Sequence, residues 1–148
     1  MKVSKYMTQK LIVVAPDMTV KDAFLTMRSR RVRHLPVVDG DELVGIISDR
    51  DLRRPKWAES IDDWTSYYQI DDDLTVKDVM TSQPETVRTY DGILKAVRIF
   101  RERRYGALPV LDKTGALVGI LSAQDLLLAL EEFLTQPELT VKKKRKKI

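Results

Sequence analysis

A chain of 148 residues has room for one domain of ordinary size or two very small ones, and 43% hydrophobic with 32% charged content is a globular composition. The absence of cysteine and the presence of a single histidine exclude disulfides, thiolate metal sites, cysteine nucleophiles and a multi-histidine metal site within one chain. The net charge of +4 is concentrated in the run Lys142–Lys147, which leaves the remaining body slightly acidic. No apolar run approaches the ~20 residues of a membrane helix. The opening Met1–Tyr6 lacks the apolar core of a secretion signal, so a cytoplasmic location without membrane association is expected.

In chain order, Leu11–Val14 reads as a short apolar strand. Val20, Ala23, Phe24 and Met27 then fall on one face of a helix, with Lys21 and Arg28 on the other. Two strands follow, Leu35–Val38 and Val44–Ile47, joined by Asp39-Gly40-Asp41-Glu42, a hairpin signal. A second helix opens at Ser48-x-x-Asp51 and is cut short by Pro55. The connection 56–73 carries Trp57, Ile61, Trp64 and Tyr68 at helical spacing, which predicts an amphipathic helix. Those aromatics suit packing over the core or a subunit contact, with nucleotide stacking as the alternative. Asp71-Asp72-Asp73 suits a solvated turn, with cation binding as the alternative.

The same order then returns. A strand is expected at Thr86-Val87, and a helix with Ile93, Ala96, Val97 and Phe100 on its buried face. Strands follow at Leu108–Leu111 and Val118–Leu121, joined by Asp112–Gly115, then a helix from Leu126 to about Leu134, ended by Pro137. Pro36 recurs as Pro109, and Gly45-Ile46-Ile47-Ser48-Asp49-Arg50-Asp51 as Gly119-Ile120-Leu121-Ser122-Ala123-Gln124-Asp125. A long unit present twice is not a solenoid. It predicts two similar units that share a core, with a ligand cleft at their pseudo-two-fold interface. The units are residues 1–55 and 74–136, linked by 56–73 and followed by a tail, 137–148.

The chain resembles a tandem CBS-domain protein, or Bateman module. The residues that carry the likeness are Tyr6-Met7-Thr8 and Val79-Met80-Thr81, Arg33-His34-Leu35-Pro36-Val37 and Ala107-Leu108-Pro109-Val110, and Leu43–Leu52 with Leu117–Leu126. The stand-alone layout is similar to that of AcuB-like proteins. The resemblance implies an α/β fold of two β-α-β-β-α repeats packed with pseudo-two-fold symmetry. It implies a non-catalytic regulatory module that binds AMP, ADP, ATP or S-adenosylmethionine as a ligand, without a cofactor. It also implies a disc-like homodimer that transmits occupancy to a partner protein whose identity is open.

By the same resemblance, Ser48 and Asp51, and Ser122 and Asp125, face the nucleotide. A carboxylate can accept two hydrogen bonds from a ribose diol, and a hydroxyl at a helix N-terminus lies beside free N–H groups that favour phosphate. The alternative is plain helix capping, since Thr19-x-x-Asp22, Ser60-x-x-Asp63 and Thr75-x-x-Asp78 have the same form. Adenine needs an apolar slot, for which Val14 and Pro36 are candidates in one repeat, and Val87 and Pro109 in the other. Arg33, His34 and Arg50 are candidate phosphate contacts of the first repeat. The second has Gly106, Ala107 and Gln124 instead, so the first site is expected to take the phosphorylated ligand. Ala107 and Thr81 complete the candidate ligand contacts.

An enzyme is disfavoured, because a Ser-His-Asp triad would need the lone histidine and neither a nucleophile elbow nor a Gly-rich phosphate loop is present. The basic tail suits a solvated run. The alternative is docking to nucleic acid or an acidic partner through Lys142–Lys147, with the repeat pair as a dimerisation scaffold.

Overall fold

The computed structural model describes residues 1–53 and 74–137. The expectations for the connecting aromatics, Ser60-x-x-Asp63, Asp71-Asp72-Asp73 and the basic run fall outside them. The elements are α1 (Val3–Tyr6), α2 (Val20–Arg30), β1 (His34–Asp39), β2 (Glu42–Ser48) and α3 (Asp49–Arg53) in the first half. The second half has α4 (Val76–Val79), β3 (Thr81–Ser82), β4 (Val87–Arg88), α5 (Ile93–Arg103), β5 (Ala107–Leu111), β6 (Leu117–Ser122) and α6 (Ala123–Leu134). This is a mixed α/β fold with two three-stranded sheets, ordered β1-β2-β3 and β4-β5-β6.

Both predicted hairpins form. β1 pairs antiparallel with β2, and β5 with β6, each with an irregularity near its turn end. Gly40 at φ +60° and Gly115 at φ +88° occupy left-handed positions in the two turns, where a Cβ would be strained. α2 is capped by the Thr19 hydroxyl, which accepts from the Asp22 N–H at 3.1 Å. It buries Val20, Ala23 and Met27 on the sheet. In α5, Ile93 and Ala96 are buried, whereas Val97, placed inward by its spacing, is exposed. The contact stripe turns toward Ile99 and Phe100 and leaves Val97 at its edge.

The predicted strand Leu11–Val14 reduces to a single parallel bridge, Val14 to Val37. Leu11 and Ile12 are drawn off the sheet by what precedes them. The chain before Val14 lies across the other half, where Val3 and Tyr6 join the core built from Val87, Ile93, Leu108, Val110 and Leu121. Thr8 exchanges backbone hydrogen bonds with Ile120 of β6, at 2.8 and 3.0 Å. The reciprocal crossing places Val76 in the first core, beside Val20, Leu35, Val37 and Ile47, and pairs β3 with β2. Each half therefore completes the other's core. Gly119 permits one crossing, since a Cβ there would meet the Thr8 carbonyl oxygen at 2.8 Å. Gly45 does the same for Met80.

Candidate functional site

The crossing segment 8–12, the turn from α2 into β1 and the ends of β5 and β6 line an open cavity of about 560 Å³ between the halves. Its size is that of a small-molecule site. One wall is the crossing strand, from which Thr8, Lys10, Leu11 and Ile12 line the space. A second is the turn from α2 into β1, with Arg31, Val32, Arg33, His34 and Pro36. The third belongs to the second half: Gly106 and Ala107 at the start of β5, Ile120, and the start of α6 with Ser122, Gln124 and Asp125.

Each of these side chains has a local reason for its place. Arg31 takes the left-handed position at φ 54° that ends α2, which turns the chain sharply so that Val32, Arg33 and His34 follow along the cavity. The Arg33 carbonyl accepts from the Asp49 N–H at 2.8 Å, fixing this turn to the first residue of α3. Ser122 and Asp125 form a reciprocal cap on α6. Asp125 Oδ2 accepts from the Ser122 N–H at 2.8 Å and from the Ser122 hydroxyl at 3.0 Å, and the Ser122 Oγ accepts from the Asp125 N–H at 3.3 Å. Capping thus uses one carboxylate oxygen and leaves Oδ1 for other donors.

His34 is half-buried, and burial holds its imidazole below the ordinary value of 6.5. Asp49 and Asp51 pull it upward, and Arg33 and Arg50 push it further down. The ring leans over Gly106, where a Cβ would fall 2.6 Å from Nε2. Gly106 is therefore what admits His34 to the junction of the halves.

The sequence-derived candidates divide. Arg33, His34, Pro36, Ala107, Ser122 and Asp125 line one cavity. Ser48, Arg50, Asp51, Thr81 and Pro109 do not line it. Asp51 instead caps α3, accepting the Ser48 N–H at 2.9 Å, and Thr81 sits in the short strand that pairs with β2. Val14 and Val87 are core residues, 3% and 1% exposed, and neither lines this cavity. Leu11 and Ile12, just before Val14, line the cavity. Arg33 and His34 share this cavity's lining with Asp125, while Asp51 acts electrostatically on His34 from outside that lining.

Lys10 and Arg31 were missed by the sequence reading. The available signal for Arg31 was its position immediately after the periodic stripe of α2. Lys10 had none, since its role depends on a crossing that no local pattern encodes.

The first half supplies Lys10, Arg31 and Arg33, and the second supplies the cavity's one carboxylate, Asp125. Such a wall can hold an anionic group at one end and a vicinal diol at the other. Among the described residues no group of three or more His, Asp or Glu is placed to hold a metal ion. None of the described helices is long and apolar enough to cross a membrane.

A two-repeat fold with interlocked cores and an interfacial cleft defines a CBS-domain pair. The CBS-domain family model matches residues 3–55 and 76–132, and the chain belongs to that family. A CBS domain-containing protein of Dictyostelium discoideum is 33% identical over 130 residues, covering 84% of this chain and 88% of that one. The chain is also 34% identical over 114 residues to an inosine-5'-monophosphate dehydrogenase of Thermoplasma acidophilum, of which the match spans 20%. Among solved structures, the CBS-pair protein CBSX2 of Arabidopsis thaliana superposes with a TM-score of 0.79 at 31% identity, covering 91% of this chain and 97% of that one. The complex of CBSX2 with AMP gives 0.71 at 32% identity, covering 89% and 97%. An acetoin utilization protein (AcuB) of Vibrio cholerae gives 0.71 at 26%, covering 96% of each chain.

Proposed function

We propose that this protein is a cytoplasmic, non-catalytic regulatory module that binds an adenosine-containing nucleotide in the cleft between its repeats and passes occupancy to a partner protein. The observation that carries the reading is the composition of the cleft. Asp125, at a helix start, faces an array of cations from the opposite repeat across an apolar floor of Leu11, Ile12, Val32 and Ile120. Ribose, phosphate and adenine have complementary chemistry in that order. The likeness to CBSX2, solved with AMP, supports the same assignment.

The working form in this reading is a homodimer. Support comes from the outer helices of the second repeat, where Leu94 and Val97 on α5 and Leu127, Leu130, Phe133 and Leu134 on α6 are exposed. Apolar exposure of this extent on adjoining helices suits an isologous contact with a second copy.

Thermal unfolding in the presence of AMP, ADP, ATP, S-adenosylmethionine and GTP tests the ligand. A bound adenosine compound at ~100 times its Kd raises stability by about 2.7 kcal/mol. No shift with any adenosine compound, or an equal shift with GTP, removes the adenosine assignment.

A further inference from the structure

His34 is the one histidine of the chain, and its neighbours fix its place. In β1 it stands in register with Ser48 of β2, and the Arg33 carbonyl beside it accepts the Asp49 N–H at 2.8 Å. Its ring lies against Gly106 of the other half, where a Cβ would fall 2.6 Å from Nε2. By the repeat, the counterparts of Arg33 and His34 are Gly106 and Ala107. Large side chains in both copies would collide at the pseudo-two-fold, so a single titratable ring occupies the junction. The charged groups acting on it are Asp49, Arg50 and Asp51 of α3 and Arg33 of its own turn. Lys10, Arg31 and Asp125 of α6 line the same cavity as the ring. Asp51 is tied through Oδ2 to the Ser48 N–H at 2.9 Å, which makes it a fixed and partial counter-charge.

We infer that His34 is a proton-linked lock between the repeats, whose effect reverses with occupancy of the cleft. The neutral ring packs on Gly106 as a flat, uncharged surface. Protonated beside an empty cleft, it places a cation in a half-buried junction near Arg33 and Arg50, and the contact loosens. An anionic group seated among Lys10, Arg31 and Arg33 supplies the counter-charge, so the imidazolium becomes a further donor to it and the contact tightens. Binding of the anion therefore draws a proton onto His34. Below about pH 6.5 the empty pair loses stability, because the unfolded chain binds the proton more tightly; the occupied pair gains it, because the native ring does. The inference rests on the adenosine reading only for the identity of the anion.

Because the chain has one histidine, imidazole NMR signals report this group alone. They are followed in the full chain from about pH 8 to about pH 5, empty, with AMP and with adenosine, with saturation checked by calorimetry. The expected midpoint is below 6.5 when empty, rises by about 1 pH unit with AMP and does not rise with adenosine. In Gly106→Ala the added methyl displaces the ring, so the empty midpoint should return toward 6.5; a midpoint that stays depressed overturns the junction as the seat of the lock. Thermal melts referenced to His34→Gln should lose stability from about pH 7.5 to about pH 5.5 when empty and gain it with AMP. The same sign in both states, or a midpoint that saturating AMP leaves unmoved, overturns the inference and leaves the adenosine reading standing. If no adenosine compound binds, that reading falls and inorganic phosphate decides: a raised midpoint sustains the lock, and an unmoved one overturns it.

Discussion

Asp125 has two roles, and one substitution separates them. Its Oδ2 caps α6 through two hydrogen bonds from Ser122, while the side chain lines the cleft. Asp125→Ala removes the carboxylate half of the capping box and leaves the Ser122 Oγ bond to the residue-125 N–H, at a cost of about 1 kcal/mol. For a domain of this size that lowers Tm by about 3 °C. It also removes a charged acceptor from the ligand, at about 1.5–3 kcal/mol, or about tenfold to 150-fold in Kd. Asp51→Ala is the internal control. Asp51 caps α3 through Ser48 in the same manner, but it does not line this cavity. It should therefore cost a similar amount of stability and change the affinity of this cleft less than about twofold. Asp125→Asn keeps an amide oxygen for the Ser122 N–H, so it should retain most of the stability and lose part of the affinity. Calorimetric titration with an adenine nucleotide, paired with thermal melts of the same samples, reads both quantities. If Asp125→Ala loses stability yet binds as tightly as the unmodified protein, Asp125 is a helix cap and nothing more, and the ribose argument fails.

Gly119→Ala pushes a methyl group against the Thr8 carbonyl oxygen, so it should destabilise by about 1–3 kcal/mol in a thermal melt and weaken ligand binding, because Thr8 is part of the cleft wall; an unchanged melt contradicts the close crossing. His34 takes up its proton at lower pH in the native state than in the unfolded chain. Below about 6.5 the unfolded state therefore binds more protons, and native stability falls with pH through the window down to the depressed native value. A phosphate in the cleft favours the imidazolium, so phosphorylated-ligand affinity should rise as pH falls. His34→Gln should flatten both trends in melts and titrations run from pH 7.5 to 5.5, and trends that survive it assign them to other groups. Leu130→Glu with Leu134→Glu should convert a dimer to a monomer in light scattering with unchanged helical content; a dimer that persists places the contact elsewhere.

Much of this fold is legible locally. The hairpins announce themselves through Gly40 and Gly115, α2 and α6 through apolar spacing and the capping residues Thr19 and Ser122, and α5 through apolar spacing alone. The crossings that interlock the two cores are less legible. Val3–Tyr6 and Val76–Val79 are each a single helical turn, too short for any periodicity to show which core they enter. Their partners are fixed by long-range packing, with Val3 beside Leu108 and Leu121 and Val76 beside Leu35 and Ile47. The extended reading of Leu11–Val14 was correct in composition and incomplete in pairing, because only Val14 returns to its own repeat's sheet. Val14 and Val87 read as candidate ligand walls on the same local grounds, and their side chains lie in the two cores.

That crossing also explains why charge cannot be read one repeat at a time. Arg33 and Asp51 are close in sequence, but Arg33 shares its cavity with Asp125 because the two halves meet face to face. A ligand that touches both Arg33 and Asp125 binds only the assembled pair. Its binding free energy is therefore added to the contact between the halves rather than to either half alone. The crossing strand extends that contact. Thr8 lines the cleft, and two residues earlier Tyr6 donates its hydroxyl to Glu132 of α6 at 2.8 Å, beside an ion pair from Lys5 to the same carboxylate at 3.2 Å. Glu132 shares α6 with Leu130 and Leu134, so the segment that leads into the cleft wall is joined to the helix proposed to meet the second copy. In the proposed dimer, occupancy and subunit contact would be linked through the short segment from Lys5 to Thr8 rather than through the bulk of the domain.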